Sequence, residues 1–437
     1  MEWWESMGSP RHVCAPMVDQ SELAFRILCR EYGVDLCYTP MINSKLFVEN
    51  ATYYKQHSCL DNLSCYFSVK NTGEFPNSNH NMLYETSFHR EGPLIAQFCG
   101  DNPEILLQAA QKLLRSETGN WEDKHGQNEA FDHHEKYFEN NFKQHIDYIV
   151  DAVDLNLGCP QNIARKGNYG AFLLRETELL CGIVSNWQQS LEVPVTCKIR
   201  LLDEGSCQPE LRGLQGTLNL CYELCSAGCS ALCIHGRTRL NTGTKATAAD
   251  WEAIRLIKER LGNSMPIIAN GNIETYQDVE DCFERTKCDA VMSAEALLGN
   301  PALFNRKHEV NPSRVQLAEK YLSIAEVYRP YDFHKVVKTH LARILYPELH
   351  SNEAGPSWRT CLAGLQSWDW VGAQSLVQQI KEARCLERDH AGVAECKNRD
   401  SPNLAHCTWY RRHREGHQVS AKEQRKDRYR QLGYKDI

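Results

Sequence analysis

Cys159 stands at a point of the chain where a thiol could take part in chemistry. The apolar run 152–157 predicts a short buried strand, and Gly158-Cys159-Pro160 forms the turn at its end. The loop that follows is rich in glycine and carries Arg165 and Lys166, two cations that could meet a polyanion. Core packing is the usual role of a cysteine, but this context favours a reactive thiol.

Strand-like and helix-like segments alternate through the first three hundred residues. Alternation at this spacing predicts parallel βα units, and about eight such units predict an α/β fold, a closed TIM-type (β/α)8 barrel. A doubly wound open sheet is the alternative, which is weakened because no GxGxxG motif follows the first strand. In a barrel, the carboxyl ends of the strands carry the active site.

Polar residues and glycine turns stand at most of the predicted strand ends. They are Pro16-Met17-Val18, Gln97, Asn156 with Cys159, Lys198, His235, Asn270-Gly271-Asn272 and Ala294-Glu295. The amide, ammonium and imidazole in this set could hydrogen-bond the polar edge of a flavin ring. The late glycine turns suit the phosphate site that barrels place after strands seven and eight. Because an unpaired ammonium in an apolar strand is costly, Lys198 is expected to face a ligand.

The last third of the chain has a different pattern. From about residue 315 the apolar period is helical, which predicts a small all-α domain after the barrel. We expect a catalytic barrel at 1–305 with polar insertions near 53–92, 115–146 and 203–216, a helical domain at 306–386, and a basic, flexible tail at 387–437.

Charge is distributed unevenly along the chain. The net charge is −7, yet residues 306–437 hold 23 Lys and Arg against 16 Asp and Glu. A basic part attached to an acidic body is typical of a protein that meets phosphates, and a solvated tail is the alternative.

Composition narrows the class of protein. Hydrophobic residues make up 42% of the 437 and charged residues 24%, and no apolar run approaches the roughly 20 residues that cross a bilayer. The N-terminus lacks the pattern of a signal peptide, so we expect a cytoplasmic protein, with the nucleus as a further compartment. The 20 cysteines are scattered without a CxxC pair, which favours reduced thiols in the core over disulfides or a metal site.

A long motif and two shorter ones follow one another in a recognisable order. They are Asp154-Leu155-Asn156-Leu157-Gly158-Cys159-Pro160 with Ala164 and Gly170-Ala171, then His235-Gly236-Arg237-Thr238, then Asn270-Gly271-Asn272. Together they resemble the tRNA-dihydrouridine synthase family of FMN-dependent oxidoreductases. Residues 161–167, 292–295 and 300–304 are most similar to the eukaryotic members that act on uridines near positions 16 and 17 of the tRNA D loop. The similarity spans about residues 12–385.

The resemblance implies an FMN site built from the strand-end residues. Pro16, Met17 and Val18 would approach the flavin, Gln97 and Lys198 would contact its isoalloxazine, and His235 would lie beside it. Asn270, Gly271 and Asn272, with Ala294 and Glu295, would enclose the ribityl phosphate. Many relatives have Gly-Arg where Ala294-Glu295 stand here, so Arg237 or backbone amides would replace that guanidinium.

The resemblance also implies a reaction on tRNA. NADPH or NADH would reduce FMN, hydride would pass to C6 of uracil, and Cys159 would protonate C5 as the general acid. A thiol with an ordinary pKa of about 8.5 is protonated at neutral pH and still acidic enough for this task. Asn156, Arg165, Lys166 and Arg237 would bind the substrate. A monomer that needs neither a metal nor a membrane is expected.

Two alternatives explain part of the pattern. An FMN barrel that acts on a small molecule, such as a dihydroorotate or enoate oxidoreductase, would share the flavin residues but would not need the basic helical part. A non-catalytic RNA-binding protein would not need the set Cys159, Lys198 and His235.

Overall fold

The computed structural model describes residues 2–58, 92–115, 150–206, 208–242, 246–305, 311–351 and 354–390. Most of the predicted insertions at 53–92 and 115–146 and nearly all of the predicted tail lie outside these residues. No helix in the described ranges is both long and apolar enough to cross a membrane.

Nine parallel strands form the sheet at the centre of the molecule. They are β1 (His12–Cys14), β2 (Leu36–Tyr38), β3 (Ile42–Asn43), β4 (Leu94–Cys99), β5 (Ala152–Leu157), β6 (Val195–Leu201), β7 (Ala231–Thr238), β8 (Ile267–Asn270) and β9 (Ala290–Ser293). Strand β9 pairs with β1, and β2 pairs with β4, so eight strands close into a barrel while β3 only extends the pairing along β4. The predicted TIM barrel is confirmed, and the open sheet is excluded.

The barrel strands are almost wholly buried, as expected for parallel strands covered by helices. The helices of this part are α1 (Glu2–Ser6), α2 (Leu23–Glu31), α3 (Ser44–Glu49), α4 (Ala51–Ser58), α5 (Pro103–Arg115), α6 (Asn162–Lys166), α7 (Thr177–Ser190), α8 (Gly213–Ser226), α9 (Trp251–Leu261), α10 (Tyr276–Thr286) and α11 (Glu295–Gly299). Short 3₁₀ turns lie at Gly170–Phe172 and Pro209–Leu211.

The first helix covers the amino end of the barrel. Trp4 is buried and packs with the inward-facing side chains of the strands, among them Val13 and Ile268. The indole of Trp3 donates to the carbonyl of Asp151, just before β5, at 3.0 Å. The N-terminus is therefore part of the barrel core, which leaves the opposite end for ligands.

The predicted loop at 203–216 is shorter than expected, because α8 already begins at Gly213. Gly213 and Gly216 give the first turn of this helix the composition of a loop. Gly216 instead lets the helix pack closely on the 3₁₀ turn before it, since a Cβ there would lie 2.6 Å from the backbone carbon of Leu211. The N-cap position of α2 is Glu22, and the Ser21 hydroxyl accepts from the N–H of Met17 in the turn before the helix.

A group of helices follows the barrel. They are α12 (Arg314–Val327), a π-helical turn (Phe333–Val337), α13 (Lys338–Ile344), α14 (Tyr346–Ser351), α15 (Gly355–Gly364) and α16 (Trp370–His390). They meet the barrel at Glu22, the N-cap of α2, which accepts from Tyr321 at 3.0 Å and lies 2.9 Å from Nε2 of the fully buried His340. The helical region is confirmed, while the exact domain boundaries stay predictions.

Candidate active site

Cys159 is held through its backbone at the carboxyl end of β5. The side-chain oxygen of Asn156 accepts from the N–H groups of Gly158 and Cys159 at 3.1 and 3.0 Å. The carbonyl of Cys159 accepts from the N–H of Ala171 at 3.0 Å. Gly170 approaches so closely that a Cβ there would lie 2.7 Å from the Cys159 carbonyl oxygen. The turn therefore fixes the position of the thiol.

A chain of side-chain hydrogen bonds supports this turn from inside the barrel. Because the oxygen of Asn156 accepts two N–H groups, its amide nitrogen donates to Gln97, at 2.7 Å. The nitrogen of Gln97 then donates to the carboxylate of Asp154 at 2.8 Å, and the Thr196 hydroxyl donates to the other carboxylate oxygen at 2.7 Å. Gln97 is fully buried, so its predicted flavin contact must share the amide with this network.

Asp154 and Lys198 are buried in the same part of the barrel, where each charge affects the other. Burial raises the pKa of Asp154 to about 6, against the hydrogen bonds from Gln97 and Thr196 and the charge of Lys198. Burial likewise lowers the pKa of Lys198. The Lys198 ammonium donates to the side-chain oxygen of Asn270 at 3.1 Å, and Asn270 in turn donates to the Met292 carbonyl at 3.0 Å. Lys198 thus joins the β6 and β8 ends of the site.

Arg200 links the cysteine turn to the end of β7. Its Nε donates to the carbonyl of Gly158 at 2.8 Å, and its Nη1 donates to the carbonyl of Thr238 at 2.9 Å. Burial raises the pKa of the Cys159 thiol, while the backbone of Gln161 and the cations Arg200 and Lys198 pull it down. The thiol is therefore protonated at neutral pH beside two positive charges.

A second group of residues forms at the ends of β7 and β8. The guanidinium of Arg237 donates to the Thr247 carbonyl at 2.7 Å and to the side-chain oxygen of Asn272, and its Nη1 lies 3.0 Å from Nε2 of His235. Since arginine can only donate, that imidazole nitrogen accepts. Gly271 has φ +112°, and a Cβ there would lie 2.8 Å from Ala249, so this compact turn requires glycine.

The remaining predicted cofactor residues lie at the same end of the barrel. Pro16, Met17 and Val18 follow β1, and the N–H and C=O of Met17 are both hydrogen-bonded within their own turn. Val18 is 55% exposed. Ala294 and Glu295 follow β9, where Ala294 occupies the N-cap position of α11. Their predicted contacts with FMN stay predictions.

Arg165 and Lys166 lie at the end of α6, the short helix after the cysteine turn, and both are exposed. Within the described residues, no cluster of His, Cys, Asp and Glu side chains is arranged to hold a metal ion. Cys221 on α8 and Cys233 on β7 are buried among core side chains.

Comparison with known proteins decides the family. A model of the family described as dihydrouridine synthase (Dus) matches residues 13–118 and 130–382. The chain belongs to the dihydrouridine synthase family.

Curated relatives of this dihydrouridine synthase carry the names of two types of tRNA-dihydrouridine synthase. A tRNA-dihydrouridine(16/17) synthase-like protein of Mus musculus is 35% identical over 397 residues, covering 91% of this chain and 67% of its own length. The tRNA-dihydrouridine(16/17) synthase of Saccharomyces cerevisiae is 35% identical, with 87% and 77% covered. A tRNA-dihydrouridine(20a/20b) synthase-like protein of Homo sapiens is 31% identical, with 67% and 70% covered. The 16/17 type is thus the more similar one.

Sequence reasoning missed two residues of this dihydrouridine synthase. Asp154 and Arg200 both carry charge inside strands that are mostly apolar, the same signal that identified Lys198. Arg200 is also two positions beyond Lys198, so both side chains leave β6 on the same face. Gly170 could not be assigned a role from the sequence, because its close approach to Cys159 depends on the path of the loop.

Proposed function

We propose that this chain is a flavin-dependent tRNA-dihydrouridine synthase that reduces the C5–C6 double bond of uridines 16 and 17 in the tRNA D loop, with NADPH or NADH as the reductant. The observation that carries the proposal is the geometry of Cys159, whose turn is held by Asn156 and Arg200 at the carboxyl end of the barrel. Burial, which raises the pKa of this thiol, agrees with its use as an acid. The 16/17 relatives support the choice of nucleotides, because they share more identity and cover more of the chain than the 20a/20b relative.

FMN is the cofactor that we propose, and Arg237 provides a test of its fit. Arg237 is 4% exposed, and no carboxylate in the described part of the chain pairs with it. A buried guanidinium without a counter-anion is costly, so an anion is expected at this point. The ribityl phosphate of FMN, next to the turn Asn270-Gly271-Asn272, would be that anion. We therefore assign Arg237 to the cofactor phosphate and not to the tRNA.

The protein side chains supply the proton and the geometry. Hydride for C6 of uracil would come from a reduced flavin held at this end of the barrel. Cys159 then gives its proton to C5, for which a thiol that is protonated at neutral pH is suited. Asn156, through two backbone N–H groups, and Arg200, through the Gly158 carbonyl, keep that thiol in place. The Asn156 oxygen already accepts from two backbone N–H groups, and one amide hydrogen is donated to Gln97. Any contact of Asn156 with uracil is therefore made by its other amide hydrogen.

The target base must leave the folded D loop to reach this turn. Unstacking a nucleotide costs a few kcal/mol, which contacts with the sugar-phosphate chain and base stacking can offset. Arg165 and Lys166 are exposed on α6, directly after the cysteine turn, and we propose that they make such contacts. The basic residues of the helical region would extend this tRNA-binding surface.

The experiment that tests this function follows flavin oxidation without oxygen. The purified protein should be yellow, NADPH should bleach it, and unmodified tRNA should restore the yellow colour while free uridine should not. Reoxidation by a small enone, but not by tRNA, would refute the proposal and favour a small-molecule oxidoreductase.

A further inference from the structure

A small cavity lies among the loops at the carboxyl ends of β5, β6 and β7, next to the loop that carries Cys159. Its volume is about 360 Å³, and we call it the arginine cavity; its walls are Arg165, Ala171, Phe172, Leu174, Arg175, Glu176, Leu201, Leu202, Asp203 and Arg239. These residues follow β5 and β7 or lie at and just after the end of β6. The cavity is therefore at the same end of the barrel as the thiol.

Arg175 is fixed at one side of this cavity. Its Nη2 donates to a carboxylate oxygen of Asp203 at 2.7 Å and to the Asp203 carbonyl at 3.1 Å, and its Nε donates to the Leu211 carbonyl at 3.3 Å. Its Nη1 donates to no residue that the structure describes. The side chain is 29% exposed. One edge of the guanidinium is thus held, while the other is open to a ligand.

Arg239 is held without using its donors. Its guanidinium carbon lies 4.9 Å from the centre of the Phe172 ring, and its nearest carboxylate oxygen, on Asp203, is 3.9 Å away, beyond hydrogen-bond distance. None of its N–H groups donates to a described residue, and the side chain is 30% exposed. An arginine that is positioned by ring contact and keeps its donors free is preorganised for an anion.

The charge of the cavity suits a phosphodiester. Three arginines face two carboxylates, Asp203 and Glu176, which leaves one net positive charge. A phosphodiester carries one negative charge, whereas a phosphate monoester such as the one on NADPH carries about −1.5 to −2 at neutral pH. The diester of a nucleic acid is therefore the better match.

The cavity also shares a wall with the catalytic turn. Phe172 ends the 3₁₀ turn whose Ala171 N–H donates to the Cys159 carbonyl at 3.0 Å. A polynucleotide whose target base lies at Cys159 would carry its flanking phosphates across this wall. We infer that the arginine cavity binds a backbone phosphodiester of tRNA beside the target uridine. The inference rests on the proposed function, since it takes RNA as the substrate.

The test is equilibrium binding of an unmodified tRNA transcript to the oxidised holoenzyme over a range of salt concentrations. Arg239→Gln removes one phosphate contact, which should lower the slope of log K against log salt by about 0.7. If the contact contributes nothing at 1 M salt, this change in slope means that the variant binds tRNA about eightfold more weakly than the wild type at 50 mM salt. At 200 mM salt the difference is about threefold. Arg165→Gln, on the exposed side, should act in the same direction, and its surface position makes loss of folding a minor concern.

Arg255→Gln is the matched control, because this substitution changes the net charge of the protein by the same amount. Arg255 lies on the outer face of α9, where it pairs with Glu252 and Glu259. It should leave the salt slope unchanged. If Arg239→Gln and Arg165→Gln also leave tRNA binding unchanged while the wild-type protein forms dihydrouridine, the inference is refuted and the function stands. If Arg239→Gln slows flavin reduction by NADPH without weakening tRNA binding, the cavity belongs to the reductant and the inference is equally refuted. A wild-type protein that neither binds tRNA nor forms dihydrouridine would refute the function itself.

Discussion

Gly170→Ala should displace Cys159 without removing any functional group. The new Cβ would lie 2.7 Å from the Cys159 carbonyl oxygen and 3.0 Å from its Cβ, where ordinary contact begins at 3.4 Å, so the turn must move by roughly 0.7 Å. Gly170 also has φ +68°, which costs an alanine about 1 kcal/mol. Because a shift of about 1 Å can cost a hundredfold in rate, we expect uracil reduction to slow on the order of 10- to 100-fold.

The assay is a single turnover with enzyme reduced in advance, saturating tRNA, and quantification of dihydrouridine. Flavin absorbance should match the wild type, since the substitution does not touch the proposed cofactor residues. Gly182→Ala is the control, because Gly182 is exposed on α7 and a Cβ there meets no atom within 4 Å. A folded Gly170→Ala protein with a rate within about twofold of wild type would show that the close approach does not position the thiol.

Three further predictions follow from the same structure. Arg200→Met removes the donors to the Gly158 and Thr238 carbonyls, so reduction of tRNA should slow by about tenfold or more while flavin stays bound. Stopped-flow traces measure the rate of reduction, and flavin absorbance measures the bound flavin. Cys159 can donate a proton only while its thiol is protonated, and burial raises the pKa of that thiol. The rate of dihydrouridine formation should therefore stay constant through neutral pH and fall only above about 8.5, the ordinary pKa of a thiol. In Cys159→Ser, a pH profile with the same alkaline fall would assign that fall to another group. Glu22→Ala should lower the free energy of unfolding by about 3 kcal/mol, because it leaves His340 and Tyr321 buried without their partner. Chemical denaturation measures this change, and an unchanged denaturation midpoint would contradict the prediction.

Much of the barrel follows from the sequence, because its signals are local. Apolar runs separated by helical periods predict parallel strands, and the polar residues at their ends do lie at one end of the barrel. The helix at Glu2–Ser6 was not expected, since five residues are too few for a period to show. The role of Trp4 in closing the barrel depends on contacts with strands far along the chain.

The contacts within the site were less predictable than its residues. The sequence suggests Gln97 and Asn156 as ligand-binding amides, but it does not show that Gln97 uses both its oxygen and its nitrogen, and Asn156 its nitrogen, in the network that ends at Asp154. Likewise, nothing local links Arg239 to Phe172, which lie 67 positions apart and meet only because β5, β6 and β7 are neighbours in the barrel. Hydrogen-bond direction and loop path are properties of the closed fold.

The central claim is that Cys159 protonates uridine at positions 16 and 17 of tRNA. The direct measurement mixes NADPH-reduced wild-type or Cys159→Ala enzyme with unmodified tRNA under anaerobic conditions and maps dihydrouridine by mass spectrometry of nuclease fragments. We expect the wild type to form dihydrouridine at 16 and 17, and the variant to bind flavin and accept hydride from NADPH but form product at least about a hundredfold more slowly. Product at the wild-type rate in the variant, or product only at other positions, would contradict the account.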